Sequence, residues 1–175
     1  MKELWDLYNK DRLPLHKTAE RGHKLERDSY HMVVHVCLFN PKGEMLIQHR
    51  QTFKSGWPNL WDVSVGGSAL AGETSQIAAE RETLEEVGFK IDLSDVRPHL
   101  TINFDDGFDD FYLVELNETP DLDQLLLQYE EVQAVKWASY DEIMAMMVQE
   151  RFIPYYKHLI GFLFENRKAY GAIRE

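Results

Sequence analysis

The stretch from Gly67 to Phe89 reads GSALAGETSQIAAERETLEEVGF. It predicts a helix from about Glu73 to Val87, stopped at Gly88, because glycine readily takes the left-handed conformation in which helices end. At about 100° per residue, Ile77, Ala79, Thr83, Leu84 and Val87 share one side, which is expected to pack on a sheet. Glu82, Glu85 and Glu86 fall within a wedge of roughly 100° on the other side, and Ala78 leaves room one turn earlier. Three carboxylates this close repel one another unless positive charge lies among them. Hard divalent cations such as Mg²⁺ or Mn²⁺ take oxygen ligands, and carboxylates on consecutive turns can share one. Arg81 stands one turn before Glu85 and can orient it, and Glu73, at the positive end of the helix dipole, can engage Arg81 in turn. A Glu-rich helix face by itself is usually solvated charge. Here the bounding glycines and the spacing argue otherwise.

Outward from this segment the chain alternates strands and helices. A short N-terminal hairpin is expected at about residues 4–17, around the polar turn Asn9-Lys10-Asp11-Arg12. His31 to Phe39 (HMVVHVCLF) reads as a strand buried on both faces. Asn40-Pro41-Lys42-Gly43 turns the chain into a partner strand, Glu44 to His49. Phe53 to Asn59 reads as a loop and Leu60 to Val65 as a short extended stretch, after which Gly66-Gly67 is expected to break the backbone. Further strands are expected near His99 to Asn103, Phe111 to Glu115 and Val132 to Trp137, a helix from Ser139, and a closing amphipathic helix at about 154–168. This order implies an α/β fold, a sandwich with a mixed sheet, in a single domain over residues 1–175.

The chain has one cysteine, Cys37, which excludes an internal disulfide framework and a cysteine-based zinc site. The N-terminus MKELWDLYNK lacks the apolar core of a signal peptide, and no apolar run reaches the roughly 18 residues of a membrane span, so a cytoplasmic chain with no membrane partner is expected. A formal net charge of −11 disfavours nucleic-acid polymers as partners. The same charge would repel a phosphorylated substrate unless bound cations or local basic residues offset it.

Gly67, five residues, Glu73, seven residues, then Arg81-Glu82-Thr83-Leu84-Glu85-Glu86-Val87-Gly88-Phe89 resembles the Nudix box, G-x5-E-x7-R-E-U-x-E-E-x-G-U with U a bulky apolar residue. All seven fixed letters are present, a coincidence on the order of 10⁻⁶ for a chain of this length at about 7% per residue type. Thr83 departs from the pattern at a U position; its methyl can still pack inward and its hydroxyl can bond back within the helix. The likeness extends over most of residues 30–150. The N-terminal hairpin resembles the subgroup close to isopentenyl-diphosphate isomerase.

The resemblance implies a Nudix-type α/β/α sandwich and hydrolysis of a diphosphate linkage in a small molecule, such as a nucleoside diphosphate joined to another moiety, with Mg²⁺ or Mn²⁺ as cofactor. Carried onto this sequence, Glu82 and Glu86 would be the main metal ligands, with the Gly66 carbonyl contributing. Glu85 would be a further ligand or the general base, and Arg81 and Glu73 would orient the carboxylates. For an acid outside the box, Asp109 and Asp110 are the first candidates, then Glu130 and Glu131. Isomerase-like activity is disfavoured because Gly66 stands where that enzyme keeps its cysteine, with Gly67-Ser68-Ala69 following. Cys37, His23 and His31 then read as structural or surface residues. A nucleotide-sensing module without activity is disfavoured because every box carboxylate is retained. Among Trp57, Trp61, Phe104, Phe108 and Phe111, most are expected in the core, with a stacking platform for a base as the alternative. Arg50, Lys54 and Arg97 are the basic residues considered for phosphate contact. The closing helix is expected to pack on its own domain, with homodimer contact as the alternative.

Overall fold

In the computed structural model, which describes residues 2–173, the strand HMVVHVCLF organises everything around it. This strand, β3 (His31–Phe39), follows a hairpin of β1 (Leu4–Tyr8) and β2 (Pro14–Glu20). After it come β4 (Met45–Arg50), β5 (Trp61–Asp62), β6 (Val65–Ser68), α1 (Ser75–Val87), β7 (Leu100–Phe104), β8 (Gly107–Glu115), β9 (Val132–Ala138), α2 (Tyr140–Val148) and α3 (Lys157–Asn166). β3 pairs antiparallel with β6 along one edge and parallel with β8 along the other, which makes the sheet mixed. β7 extends the sheet beyond β8, and β4 carries β5 and β9.

Alternate residues of β3 feed two cores, as a strand buried on both faces must. Val34, Val36 and Leu38 meet Ala78, Ala79 and Val87 of α1. Cys37 and Phe39 meet Ile143 and Met146 of α2 and Ile160 and Leu163 of α3. Helices thus cover both faces, the α/β/α sandwich that the resemblance implied. The hairpin lies off the main sheet, joined to it at Tyr8 and Tyr30.

Four expectations need correction. Gly66-Gly67 does not break the backbone. Both glycines lie inside β6, with His35 opposite Gly66 and Val34 opposite Gly67, and the expected single extended stretch is two strands, β5 and β6. Next, β3 and β4 touch in register only at Phe39 and Met45. Past the Asn40–Gly43 turn they splay, β6 taking the free edge of β3 and β9 that of β4. The buried Ser64 fills the fork: its hydroxyl accepts from Leu38 N at 2.8 Å and donates to Leu46 O at 2.5 Å. The closing helix also starts later than expected, at Lys157, and Tyr156 is exposed.

The fourth correction concerns α1. Thr74 caps it, its side chain accepting from Ile77 N, and Gly88 ends it at φ 67°. Its buried face, however, is Ser75, Ala78, Ala79, Thr83, Glu86 and Val87. Ile77 (48% exposed) and Leu84 (53% exposed) face solvent. The helix is therefore rolled relative to the stripe drawn from hydrophobicity alone, so that small residues meet the sheet and acidic ones reach its glycines. Thr83 donates to Ala79 O at 2.7 Å, the back-bond expected of it.

Ser64→Ala should leave the Leu38 amide and the Leu46 carbonyl without their shared partner inside the core. A loss of about 1–3 kcal/mol is expected, measured by urea denaturation, with little change in the slope of the transition.

Candidate active site

The roll of α1 brings two carboxylates against a strand that has no side chains there. Successive residues of a strand face opposite sides, and the two glycines of β6 clear both. A Cβ on Gly67 would fall onto the carboxyl group of Glu82. A Cβ on Gly66 would stand 2.9 Å from the ring of His35, on the other face. Glycine at these positions is a matter of space, not of conformational freedom.

Glu86 is buried. Its Oε2 accepts from Gln48 Nε2 at 3.0 Å and from Gly66 N at 3.4 Å, and its backbone carbonyl accepts from Gln128 N at 3.0 Å. Burial pushes its carboxyl up to about 8, helped by the charges of Glu82 and Glu131 and opposed by the bonds from Gln48 and Gly66. Burial raises Glu82 as well, against the pull of Arg81.

Arg81 holds the rest of the cluster. Its guanidinium donates to Glu73 through Nε at 2.7 Å and Nη2 at 2.9 Å, to Ser68 O at 3.0 Å, and to Glu85 at 3.0 Å. It also pairs with Glu82 at 2.9 Å. Glu73 closes the loop before α1 by accepting from Leu70 N at 2.8 Å. Burial opposes its ionisation, but Arg81 and the Leu70 amide hold its carboxyl below the usual range.

The structure thus gathers Gly66, Glu73, Arg81, Glu82, Glu85 and Glu86 at one place. Glu85, its side chain 49% exposed, stands outermost. Glu82 and Glu85 lean on Arg81 while Glu86 leans on Gln48, so no three acidic side chains of the described residues close around one point. The chemistry of the donors nevertheless suits a hard cation: all are oxygens, the cluster carries excess negative charge, and one member is a buried carboxyl beside two others.

The candidate acids outside the box separate. Asp110 accepts a bidentate pair from Arg12 at 3.0 and 2.7 Å and a bond from Thr101 at 2.5 Å. It fastens the hairpin. Asp109 points to the opposite face and contacts His35 Nδ1 at 2.7 Å. His35 Nε2 lies 3.4 Å from the Tyr155 hydroxyl, which donates to Asp62 at 2.8 Å. Burial works against a charged His35, but Asp109, together with Asp62 and Glu86, outweighs it and raises the imidazole. Asp109, His35, Tyr155 and Asp62 therefore form a polar group on the far side of Gly66. Glu131 pairs with Lys54 within electrostatic reach of Glu86, and Glu130 is exposed.

Gln48, His35, Asp62 and Tyr155 were not singled out from the sequence. Gln48 and His35 carried a signal, each a polar residue inside an apolar strand. Asp62 and Tyr155 meet across 93 positions and carried none. Phe108 and Phe111 are core residues, as is His31, stacked on Trp5 at 4.0 Å. Arg50 turns to Gly56 O and Asp62, and Arg97 lies over Tyr170. Cys37 is fully buried, and burial raises its thiol well above the ordinary range.

The NUDIX domain model matches residues 29–159. A Nudix hydrolase of Listeria innocua is 47% identical over 167 residues, covering 95% of this chain and 96% of its own length. A Salmonella isopentenyl-diphosphate Delta-isomerase is 38% identical over 72 residues, covering 41% of this chain and 40% of its own length. The crystal structure of a Deinococcus radiodurans protein superposes with a TM-score of 0.71 at 24% identity, covering 97% of this chain and all of that one.

The buried Glu86 makes the metal-free protein pH-sensitive. Its folded value, about 8, lies above its ordinary 4.5, so its stabilising contribution is complete below 4.5 and is lost as pH rises through 8. Glu86→Gln removes that dependence while keeping an acceptor for Gln48 and Gly66. Above about pH 8 the metal-free variant should melt at a higher temperature than the wild type. The gap should close toward acidic pH in a calorimetric series.

Proposed function

This chain belongs to the Nudix family, and we propose that it hydrolyses a diphosphate linkage in a small molecule with the help of Mg²⁺ or Mn²⁺. The substrate class would be a nucleoside diphosphate joined to another moiety or a similar small diphosphate. The reading is carried by Glu82 and Glu86, held against Gly67 and Gly66 where no side chain could stand. Burying acidic groups there costs stability that a cation restores. Glu82, Glu86 and the Gly66 carbonyl would hold the ion.

When bound, the ion neutralises phosphate oxygens, orients the diphosphate and acidifies water. The chain's own residues do the rest. Water adds to one phosphorus as the bridging P–O bond breaks, giving two phosphorylated products, and a carboxylate takes the proton. Glu85 suits that role: it is the exposed member of the cluster, and Arg81 fixes it at 3.0 Å. Glu131 is the acid outside the box best placed to assist, since Lys54 holds it within electrostatic reach of Glu86, whereas Asp109 lies with His35 across β6 from the cluster. Glu73 and Arg81 orient the carboxylates and bind no substrate in this scheme.

Nothing in the site favours isomerase chemistry. Gly66 occupies the position of the thiol, and Cys37 is sealed in the core. No helix among the described residues is long and apolar enough to cross a membrane.

With a panel of diphosphate compounds and Mg²⁺ or Mn²⁺, wild-type protein should release metal-dependent products from at least one class. Glu86→Gln should lower that rate by at least about 100-fold. Equal rates for the two proteins would overturn the reading. The acids outside the box should also part company. Glu131→Gln should lower kcat with little change in thermal stability. Asp110→Asn should cost about 1–3 kcal/mol and leave kcat near the wild-type value.

A further inference from the structure

The hairpin of β1 and β2 lies outside residues 29–159, the span of the family match, yet it is bonded to the loop that carries the box into α1. Residues 69–73 of that loop have few partners of their own. Ala69 N donates to Met32 O at 2.9 Å, in the main sheet, and Leu70 N donates to Glu73. The next two amides both go to β1: Ala71 N donates to Leu4 O at 2.7 Å, and Gly72 N donates to the Asp6 carboxylate at 2.7 Å. Gly72 sits at φ 88°, which fixes the direction of its amide and favours glycine. One residue on is Glu73, whose carboxylate holds Arg81, and Arg81 holds Glu82 and Glu85.

A continuous line of bonds therefore runs from Asp6 through Gly72 and Glu73 to the carboxylate cluster. Asp6 is partly exposed, so its bond to Gly72 is a charge-assisted one made at the protein surface. The rest of the hairpin is anchored elsewhere: Trp5 stacks on His31, Tyr8 pairs with Tyr30, and Arg12 clasps Asp110. Those contacts hold the hairpin against the ends of β3 and β8 without touching the loop. Among the described residues, the hydrogen bonds from the hairpin to that loop come from Asp6 and the Leu4 carbonyl.

Resting on the metal-dependent reading above, we propose that Asp6 is a positioning residue for the divalent-cation site, acting through Gly72, Glu73 and Arg81. The hairpin is then a working part of the site. Loss of the bond lets the 69–73 loop relax, Arg81 loses its fixed partner, and Glu82 and Glu85 lose their common orientation. Partners that orient metal ligands from outside the ligand set matter about 10- to 100-fold in affinity; Asp6 acts one bond further out, so a smaller effect is expected.

The test is calorimetric titration of the full chain with Mn²⁺, which reads the ion directly and needs no substrate. Asp6→Ala should weaken Mn²⁺ binding by about three- to tenfold. Asp6→Asn should stay within about twofold of wild type, because the amide oxygen can accept the same bond from Gly72. Arg12→Ala, which loosens the hairpin at its remote anchor, should lower the melting temperature without weakening Mn²⁺ binding. Unchanged binding in Asp6→Ala would overturn the proposal. So would an equal loss in Asp6→Asn, which would point to charge, or in Arg12→Ala, which would reduce the hairpin to a brace. A wild-type protein that binds no Mn²⁺ would sink the metal-dependent reading itself, a result distinguishable from all of these.

Discussion

The guanidinium of Arg81 is in contact with three carboxylates and a backbone carbonyl at once. Without it, Glu73, Glu82 and Glu85 would crowd one end of a helix with nothing to offset their charge. It ties the loop before α1 to the middle of the helix, and so fixes how far the helix is rolled about its axis. That roll decides which side chains face the sheet. With small residues inward, α1 comes close enough for Glu82 to lie on Gly67 and for Glu86 to reach the Gly66 amide. The exposure of Ile77 and Leu84 is the cost of that choice. A helix rolled for maximal burial of apolar area would have aimed the carboxylates elsewhere.

Space, more than bonding, organises the opposite side. The same strand that admits Glu82 on one face admits His35 on the other, because two consecutive residues lack side chains. Two acidic clusters are thereby held back to back across a single strand: Glu82 and Glu86 on the helix side, Asp109 and Asp62 with His35 and Tyr155 on the other. In a chain of net charge −11, this arrangement needs the specific hydrogen bonds seen around it, since like charges at short range in a partly dry setting repel strongly.

Much of this was legible in the sequence, for identifiable reasons. The order of strands and helices followed from turn residues and from runs such as HMVVHVCLF, whose length and β-branched content fit only a strand buried on both sides. The box residues followed from fixed spacing along one helix, where geometry is regular. What failed was long-range. The wheel of α1 was drawn by hydrophobicity, which cannot register that glycines lie opposite. Gly66-Gly67 looked like a break because local propensity disfavours glycine in strands, while the pairing with β3 that overrides it involves residues about 30 positions away. Asp109 and Asp110 are adjacent and chemically alike; only the pleat, which sends them to opposite faces, tells the partner of His35 from the fastener of the hairpin.

The parallel pairing of β3 with β8 has a bearing on how the molecule is made. On a ribosome the helix with its carboxylates emerges well before Gly107–Glu115, the strand that completes the central ladder, and long before Tyr155. Local helix formation is fast and distant strand pairing slow. The growing chain must therefore pass through a stage in which an acidic helix exists with an unfinished sheet beneath it. Assembly of the polar group around His35 waits for Tyr155, in the last third of the polypeptide, so truncated nascent chains would carry the recognisable motif without the group on the other face of its strand.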